Sequence, residues 1–248
     1  MNARFDVPNE PAINGEYNLI NTIVSSGVEG SYVDVGANRG EWTFNIMERA
    51  KHISGKAPTC ICIEPNPSMA ACLRQRFANY PNVRVFNVAL SDHYDEAPFY
   101  VAPGNGGTSS LYCVPENVQE TGVVTVTTFD ALMPETERFA LVKIDAEGAD
   151  PLILKGMKNV FSERRIAACQ FEYNSRWRGS RATLRDTFHF AREVGYHFGK
   201  LTTWGSRTLH HWNDEIKIYF EANYLLLRPD VAEQLRVQLL EWMKHNTL

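Results

Sequence analysis

The sequence predicts an α/β fold, a mostly parallel sheet with helices on both faces. Short apolar stretches alternate with longer amphipathic ones, the sign of successive βαβ units. The first of them, Tyr32 to Val35, runs straight into Gly36 and Gly40 and then an amphipathic segment, giving strand, glycine turn and helix. Polar residues gather at the carboxyl ends of the predicted strands, the edge where open α/β sheets bind ligands.

Taken in order, residues 31–36 form the first strand and 41–51 a helix with Trp42, Ile46 and Met47 on one face. Residues 59–64 are the second strand. Pro65 and Pro67 break the chain before a helix over 68–80, and 83–89 is the third strand. Beyond Ser91 the pattern changes to shorter strands at 97–101 and 123–127. Between them runs a Gly-rich loop, 103–110, either a flexible lid or a plain connection. Residues 140–145 are the fourth strand, and Pro151 suits the first turn of the helix that follows, where its missing N–H is not needed. The fifth strand is 166–172. A helix over 180–194 follows, with Ser180 as its N-cap. Residues 217–227 read as a strand pair or hairpin and 231–243 as a closing helix. Without repeat or linker, 30–248 is one domain, behind an irregular lead-in over 1–29 that packs on it.

The 248 residues suffice for a sizeable core, and 44% hydrophobic with 22% charged residues is ordinary for a globular chain. A net charge of −4 offers nucleic acid or an anionic membrane no general attraction, so neither is expected as a partner. No apolar run approaches the roughly 18–20 residues that span a bilayer. The N-terminus lacks the apolar core of a secretory signal, which makes the cytoplasm the expected compartment. The five cysteines, an odd number, include Cys60 and Cys62 alternating along one strand and Cys169 in another. They read as small buried hydrophobes, and no zinc-ligand spacing occurs. The lead-in is free to pack on a second copy of the chain, so a homo-oligomer stays open.

The candidate chemistry lies along the sheet edge. Asp34 precedes the Gly36–Gly40 turn, whose Gly-x-x-x-Gly spacing differs from the dinucleotide pattern and points to a smaller cationic ligand, S-adenosylmethionine. Glu64 ends the second strand, where a carboxylate can accept hydrogen bonds from both ribose hydroxyls. The alternative is a solvated acid in a turn. Asn87, before Ala89–Asp92, faces an adenine ring or simply satisfies its own turn. Asp145 and Glu147 end the fourth strand. Two acids there are unfavourable to bury without a cationic ligand, a metal or a substrate hydroxyl beside them. Glu147 or Asp150 could instead serve a helix N-terminus. Glu172 ends the fifth strand and should stand beside Asp145 if those strands are neighbours. Nothing in the spacing selects a metal.

Taken together, VDVGANRGEWT (33–43), IEPNP (63–67), NVALSD (87–92), GTSSL (107–111), VTVTTFDAL (124–132), LVKIDAEGADPLILKG (141–156) and QFEYN (170–174) resemble the FkbM family of S-adenosylmethionine-dependent methyltransferases. The resemblance implies a Rossmann-like class I methyltransferase fold whose seven-stranded sheet has an antiparallel last strand. It also implies O-methylation of a sugar or natural-product hydroxyl on a small acceptor, free or carrier-bound. Asp34, Gly36, Ala37, Asn38 and Gly40 would then line the methionine side of the cofactor. Glu64 would bind ribose, with Asn66 in the neighbouring loop and Asn87 beyond it. Asp145 would sit near the transferred methyl group, and Glu147 would hold that corner. Thr127–Asp130 departs slightly from the family pattern, away from the pocket.

On chemical grounds Asp145 orients and deprotonates the acceptor, with Glu172 as its second. His210 and His211 are weaker candidates for the base. Arg176, Arg178, Arg181 and Arg185, with Trp177, form a locally basic stretch that either reads an anionic acceptor or is a solvated helix start. The rival functions are a non-catalytic cofactor-binding domain of the same fold and a nicotinamide-dependent oxidoreductase. The oxidoreductase lacks its glycine pattern here.

Overall fold

The computed structural model describes residues 10–101, 119–203, 205–212 and 222–235. Its strands are β1 (Ser31–Val35), β2 (Cys60–Ile63), β3 (Val83–Phe86), β4 (Ala89–Leu90), β5 (Asp95–Val101), β6 (Gln119–Thr127), β7 (Phe139–Ile144), β8 (Ile166–Tyr173), β9 (His197–Thr202), β10 (Gly205–Leu209) and β11 (Ala222–Leu227). The helices are α1 (Glu16–Ser26), α2 (Glu41–Ser54), α3 (Pro67–Arg76), α4 (Phe129–Leu132), α5 (Asp150–Lys155), α6 (Lys158–Ser162), α7 (Leu184–Glu193) and α8 (Pro229–Leu235).

The main sheet has eight strands in the order β10-β9-β11-β8-β7-β1-β2-β3. From β9 to β3 it is the mostly parallel, seven-stranded arrangement expected, with β11 running against both β8 and β9. Strand β10 extends the edge as a hairpin with β9. The order reverses at β1, which pairs in parallel with β2 on one side and β7 on the other, and this switch point opens a crevice at its carboxyl end.

Side-chain alternation divides the sheet into two unlike faces. One face carries Val33, Val35, Ile61, Ile63, Val142, Ile144, Phe171, Tyr224 and Leu226 and belongs to an almost wholly apolar core. The other is apolar only at its amino-terminal half, where Tyr32, Cys60, Leu141, Ala168, Leu225 and Leu227 pack with α1 and α2. The register there aligns Cys62, Asp34, Lys143, Gln170 and Leu225 in one row across the strands. From that row towards the carboxyl rim, this face turns polar.

The structure differs from the sequence reading in several places. The lead-in is not irregular throughout: residues 16–26 form α1, which buries Leu19, Ile20 and Ile23. Arg49 of α2 holds it, stacked 4.0 Å over the Tyr17 ring and donating to Asn21 Oδ1 at 3.0 Å. The third strand ends at Phe86, and Ala89–Leu90 joins a separate three-stranded sheet, β4-β6-β5. Asn87 makes the break: its Nδ2 donates to the carbonyls of Glu64 (2.8 Å) and Pro65 (2.9 Å). The N-cap of α7 is Thr183, in a capping box with Asp186, while Ser180 donates its hydroxyl to Trp177 O. Cys60, Cys62 and Cys169 are buried free thiols and Cys72 an exposed one. The loop 103–110, Cys113, residues 217–221 and the end of the closing helix lie outside the described residues.

The Thr127–Asp130 departure acquires a structural role. Thr128 caps α4, and Asp130 accepts from the backbone N–H groups of Asn159 and Val160, both at 2.9 Å, tying α4 to the first turn of α6. Asp130→Ala leaves both donors without that partner and should lower stability by about 1–2 kcal/mol, read as a shift in the urea midpoint at unchanged slope.

Candidate active site

A cavity of about 510 Å³ opens at the carboxyl rim. Strands β1, β2, β7, β8 and β11 contribute to its wall, as does the start of α1. The turn after β1 begins at Gly36, with φ 79°, where a Cβ would lie 2.0 Å from the Asp145 carbonyl oxygen. Glycine is required there because the β1 and β7 loops touch backbone to backbone. Gly40 has a different reason: a Cβ would meet the Phe77 ring at 2.7 Å and Leu73 at 2.8 Å, so it lets α3 close on the turn. Gly40 is absent from the cavity wall, whereas Gly36, Ala37 and Asn38 line it.

Glu64 is buried at the end of β2, and both its oxygens are held. Oε2 accepts from the Asn38 backbone N–H and Oε1 from that of Asn66, each at 2.8 Å. Its carboxyl is raised above the usual range by burial, against the pull of those two N–H groups. Asn66 caps α3 through the N–H groups of Ser68 and Met69, and Asn87 braces the same loop. Neither lines the cavity. Val88, Ala89 and Leu90 do, giving that end an apolar wall.

Asp34 is 2% exposed. The Thr43 hydroxyl donates to its Oδ2 at 2.8 Å, and Oδ1 has no hydrogen-bond partner among the described residues. Burial raises its pKa and the nearby Lys143 draws it back. Lys143 is the residue the sequence reading passed over. Its ammonium lies 2.9 Å from Asp145 Oδ2. Burial works to deprotonate it, but Asp145, Asp34 and Glu16 outweigh burial and hold the ammonium charged. The signal was present: Lys143 and Asp145 are two apart on one strand and so share a face.

Asp145 and Glu172 both line the cavity, from the adjacent parallel strands β7 and β8. Asn174 Nδ2 donates to Glu172 Oε2 at 2.8 Å. Glu147, at φ 53°, is ion-paired with Arg176. Asp150 instead faces the loop below, where Gly148 N–H donates to its Oδ2 at 3.2 Å. Glu16 and Asn223 also line the cavity, from α1 and β11, unanticipated because neither lies near a recognisable motif. Trp177 is 2% exposed and packs against Phe171 and Tyr173, with Nε1 donating to Glu172 O at 2.9 Å, so it is core and stacks on no ligand. Arg178, Arg181 and Arg185 are exposed. His210 and His211, exposed past the edge strand β10, are outside the cavity wall. No group of three or more His, Cys, Asp or Glu residues among those described could hold a metal ion.

A family model described as Methyltransferase FkbM domain matches residues 34–198, which contain the Asp34, Glu64, Asp145 and Glu172 positions. The chain belongs to the FkbM methyltransferase family. The methyl donor of this FkbM enzyme is S-adenosylmethionine. No curated protein matches the chain significantly. Among solved structures it is similar to the N-methyltransferase NodS from Bradyrhizobium japonicum WM9, at 12% identity and TM-score 0.44, over 89% of this chain and 97% of that one. SMU.1697c from Streptococcus mutans, solved in complex with SAH, gives 11% identity and TM-score 0.44 over 89% and 98%. Precorrin-6y C5,15-methyltransferase from Geobacter metallireducens GS-15 gives 12% and 0.42 over 92% and 95%. Among the described residues no helix of this FkbM domain is long and apolar enough to cross a membrane.

Asp150 yields a pH test. Burial first, then the charges of Asp145 and Glu172, raise its pKa well above the usual range. A raised carboxyl keeps its proton in the folded state after the unfolded chain has released it, so its contribution to stability falls as pH rises through that window. Asp150→Asn does not titrate. Its melting temperature should exceed that of the natural protein at about pH 8, the gap closing towards about pH 4, near the unfolded carboxyl value.

Proposed function

We propose that the chain transfers a methyl group from S-adenosylmethionine to a hydroxyl oxygen of a sugar or natural-product small molecule. The observation that carries this reading is the pair Asp145 and Glu172, on neighbouring strands in one cavity with the Asp34–Glu64 corner. The cavity volume falls within the usual range for small-molecule sites, about 300–1,000 Å³. Carboxylates on its wall outnumber its bases, Arg39 and Lys143, which suits a cationic ligand. The cofactor, when bound, supplies an activated methyl group on a sulfonium.

The chain's own residues do the rest. Glu64, aimed by two backbone N–H groups, accepts from the ribose hydroxyls through its remaining lone pairs. Asn66 and Asn87 hold the loops that aim it and act on the ligand only through Glu64. Gly36, Ala37 and Asn38 offer backbone to the methionine side, and Val88–Leu90 an apolar surface to the base. Asp145, oriented by Lys143, receives the acceptor hydroxyl's proton at a carboxylate oxygen, and Glu172 holds the acceptor in line. Glu147, tied to Arg176, keeps the corner after β7 closed.

Labelled methyl transfer to a panel of hydroxylated acceptors tests the reading. Asp145→Asn should lower kcat by about 10²–10⁴-fold while S-adenosylhomocysteine affinity stays within about threefold, and a fully active variant rejects the assignment. Glu64→Gln places an amide NH₂ against one of two backbone N–H donors. Calorimetry should show S-adenosylhomocysteine binding weakened about tenfold or more, because a hydrogen bond to a charged group contributes about 1.5–3 kcal/mol.

A further inference from the structure

At the far end of the cavity from Glu64 lies a polar group that the reaction above does not use. Glu16 opens α1, and Asn223 stands on β11 opposite Glu172; both fall outside the family match over 34–198. Glu16 lines the cavity although it is only 4% exposed. Asn14 Nδ2 donates to its Oε1 at 2.7 Å and Asn223 Nδ2 to the same oxygen at 3.3 Å. Gln170 Nε2 donates in turn to Asn223 Oδ1 at 3.2 Å. The network therefore runs one way, from Gln170 through Asn223 into Glu16, and directs these amide donors at a single carboxylate oxygen. What remains is surplus acceptor: Glu16 Oε2 and Gln170 Oε1 are buried with no hydrogen-bond partner among the described residues. Flipping the amides does not help, because Asn223 would then point its oxygen at the carboxylate. A buried acceptor left unmet costs about 1–3 kcal/mol, so a donor from outside the chain is the natural complement.

The sheet order says which donor. Along the rim come β2 with Glu64, then β1, β7 with Lys143, β8, and β11 with Asn223. A nucleoside held at Glu64 by its ribose extends its tail over β1 towards β7. There Lys143 lies within electrostatic reach of three acids, Asp145, Asp34 and Glu16; Asp145 serves the acceptor, while Asp34 and Glu16 each keep a buried oxygen with no hydrogen-bond partner among the described residues. A zwitterionic amino-acid end needs that pairing of opposite charges, whereas a neutral acceptor hydroxyl needs only Asp145 and Glu172. We propose that Glu16, aimed by Asn14 and Asn223, binds the α-ammonium group of the methyl donor's amino-acid tail. The proposal rests on the reading of the cavity as an S-adenosylmethionine site, and makes α1 part of that site.

Calorimetry on the full chain separates the two. S-adenosylhomocysteine carries the amino-acid tail, and 5′-methylthioadenosine has the same nucleoside without it. Glu16→Gln should weaken S-adenosylhomocysteine about tenfold or more while 5′-methylthioadenosine stays within about twofold. Unchanged affinity for S-adenosylhomocysteine overturns the proposal and leaves Glu16 to the acceptor. Parallel weakening of both ligands overturns it too, in favour of a purely structural role. A check independent of the variant's folding uses the natural protein and the deamino analogue of S-adenosylhomocysteine. That analogue should bind about tenfold more weakly than its parent, and equal affinity overturns the proposal. If the natural protein binds neither adenosyl ligand, the cofactor reading itself has failed.

Discussion

One partly buried ammonium governs the polar face of this sheet. Lys143 sits mid-row between Asp34 and Gln170, with Asp145 one step further towards the rim on the same face. Isolated carboxylates in such surroundings would be strongly unfavourable, and so would an isolated lysine. Together they are tolerable: the three acids hold the lysine charged against burial, and the lysine offsets part of the burial that raises Asp34. With the cation at the switch point, this face changes from hydrophobic core to polar cavity wall within a single residue pair along the central strands.

Ties that end on backbone groups hold the cavity's walls. Gly36 abuts the Asp145 carbonyl, Glu64 clamps the loops after β1 and β2 by their N–H groups, and Asn87 ties β3 to the loop after β2. Each tie joins two rim loops, so the fold itself aims the acids. Several groups still carry unmet hydrogen-bonding capacity, among them Asp34 Oδ1 and Glu16 Oε2.

The family-matched segment and the chain around it divide the labour. Residues 34–198 supply the β1–β2–β7–β8 rim, and the surrounding chain supplies α1 and β11, which close the rim's other end. Helix α1 is held to α2 through Arg49 and to the hairpin edge by Asn18, whose Nδ2 donates to Thr203 O at 3.0 Å. It therefore sits on the scaffold rather than on a mobile loop.

The sequence by itself determined the parallel α/β architecture, the strands at the centre of the sheet and the acids at their ends. Those follow from period-two alternation, glycine turns and strand-end polarity, all of which act over a few residues. Even the Lys143–Asp145 pair was legible, since residues two apart on a strand must share a face. Only the tertiary structure decided that Asn66 caps a helix and Asn87 braces a loop, because a residue's polar atoms can serve backbone or ligand equally well until their partners are known. It also decided that Trp177 is core, and that Glu16 and Asn223, 207 positions apart, meet over the same cavity. Contacts across that separation are set by how helices pack on a sheet, and local sequence pattern holds no record of them.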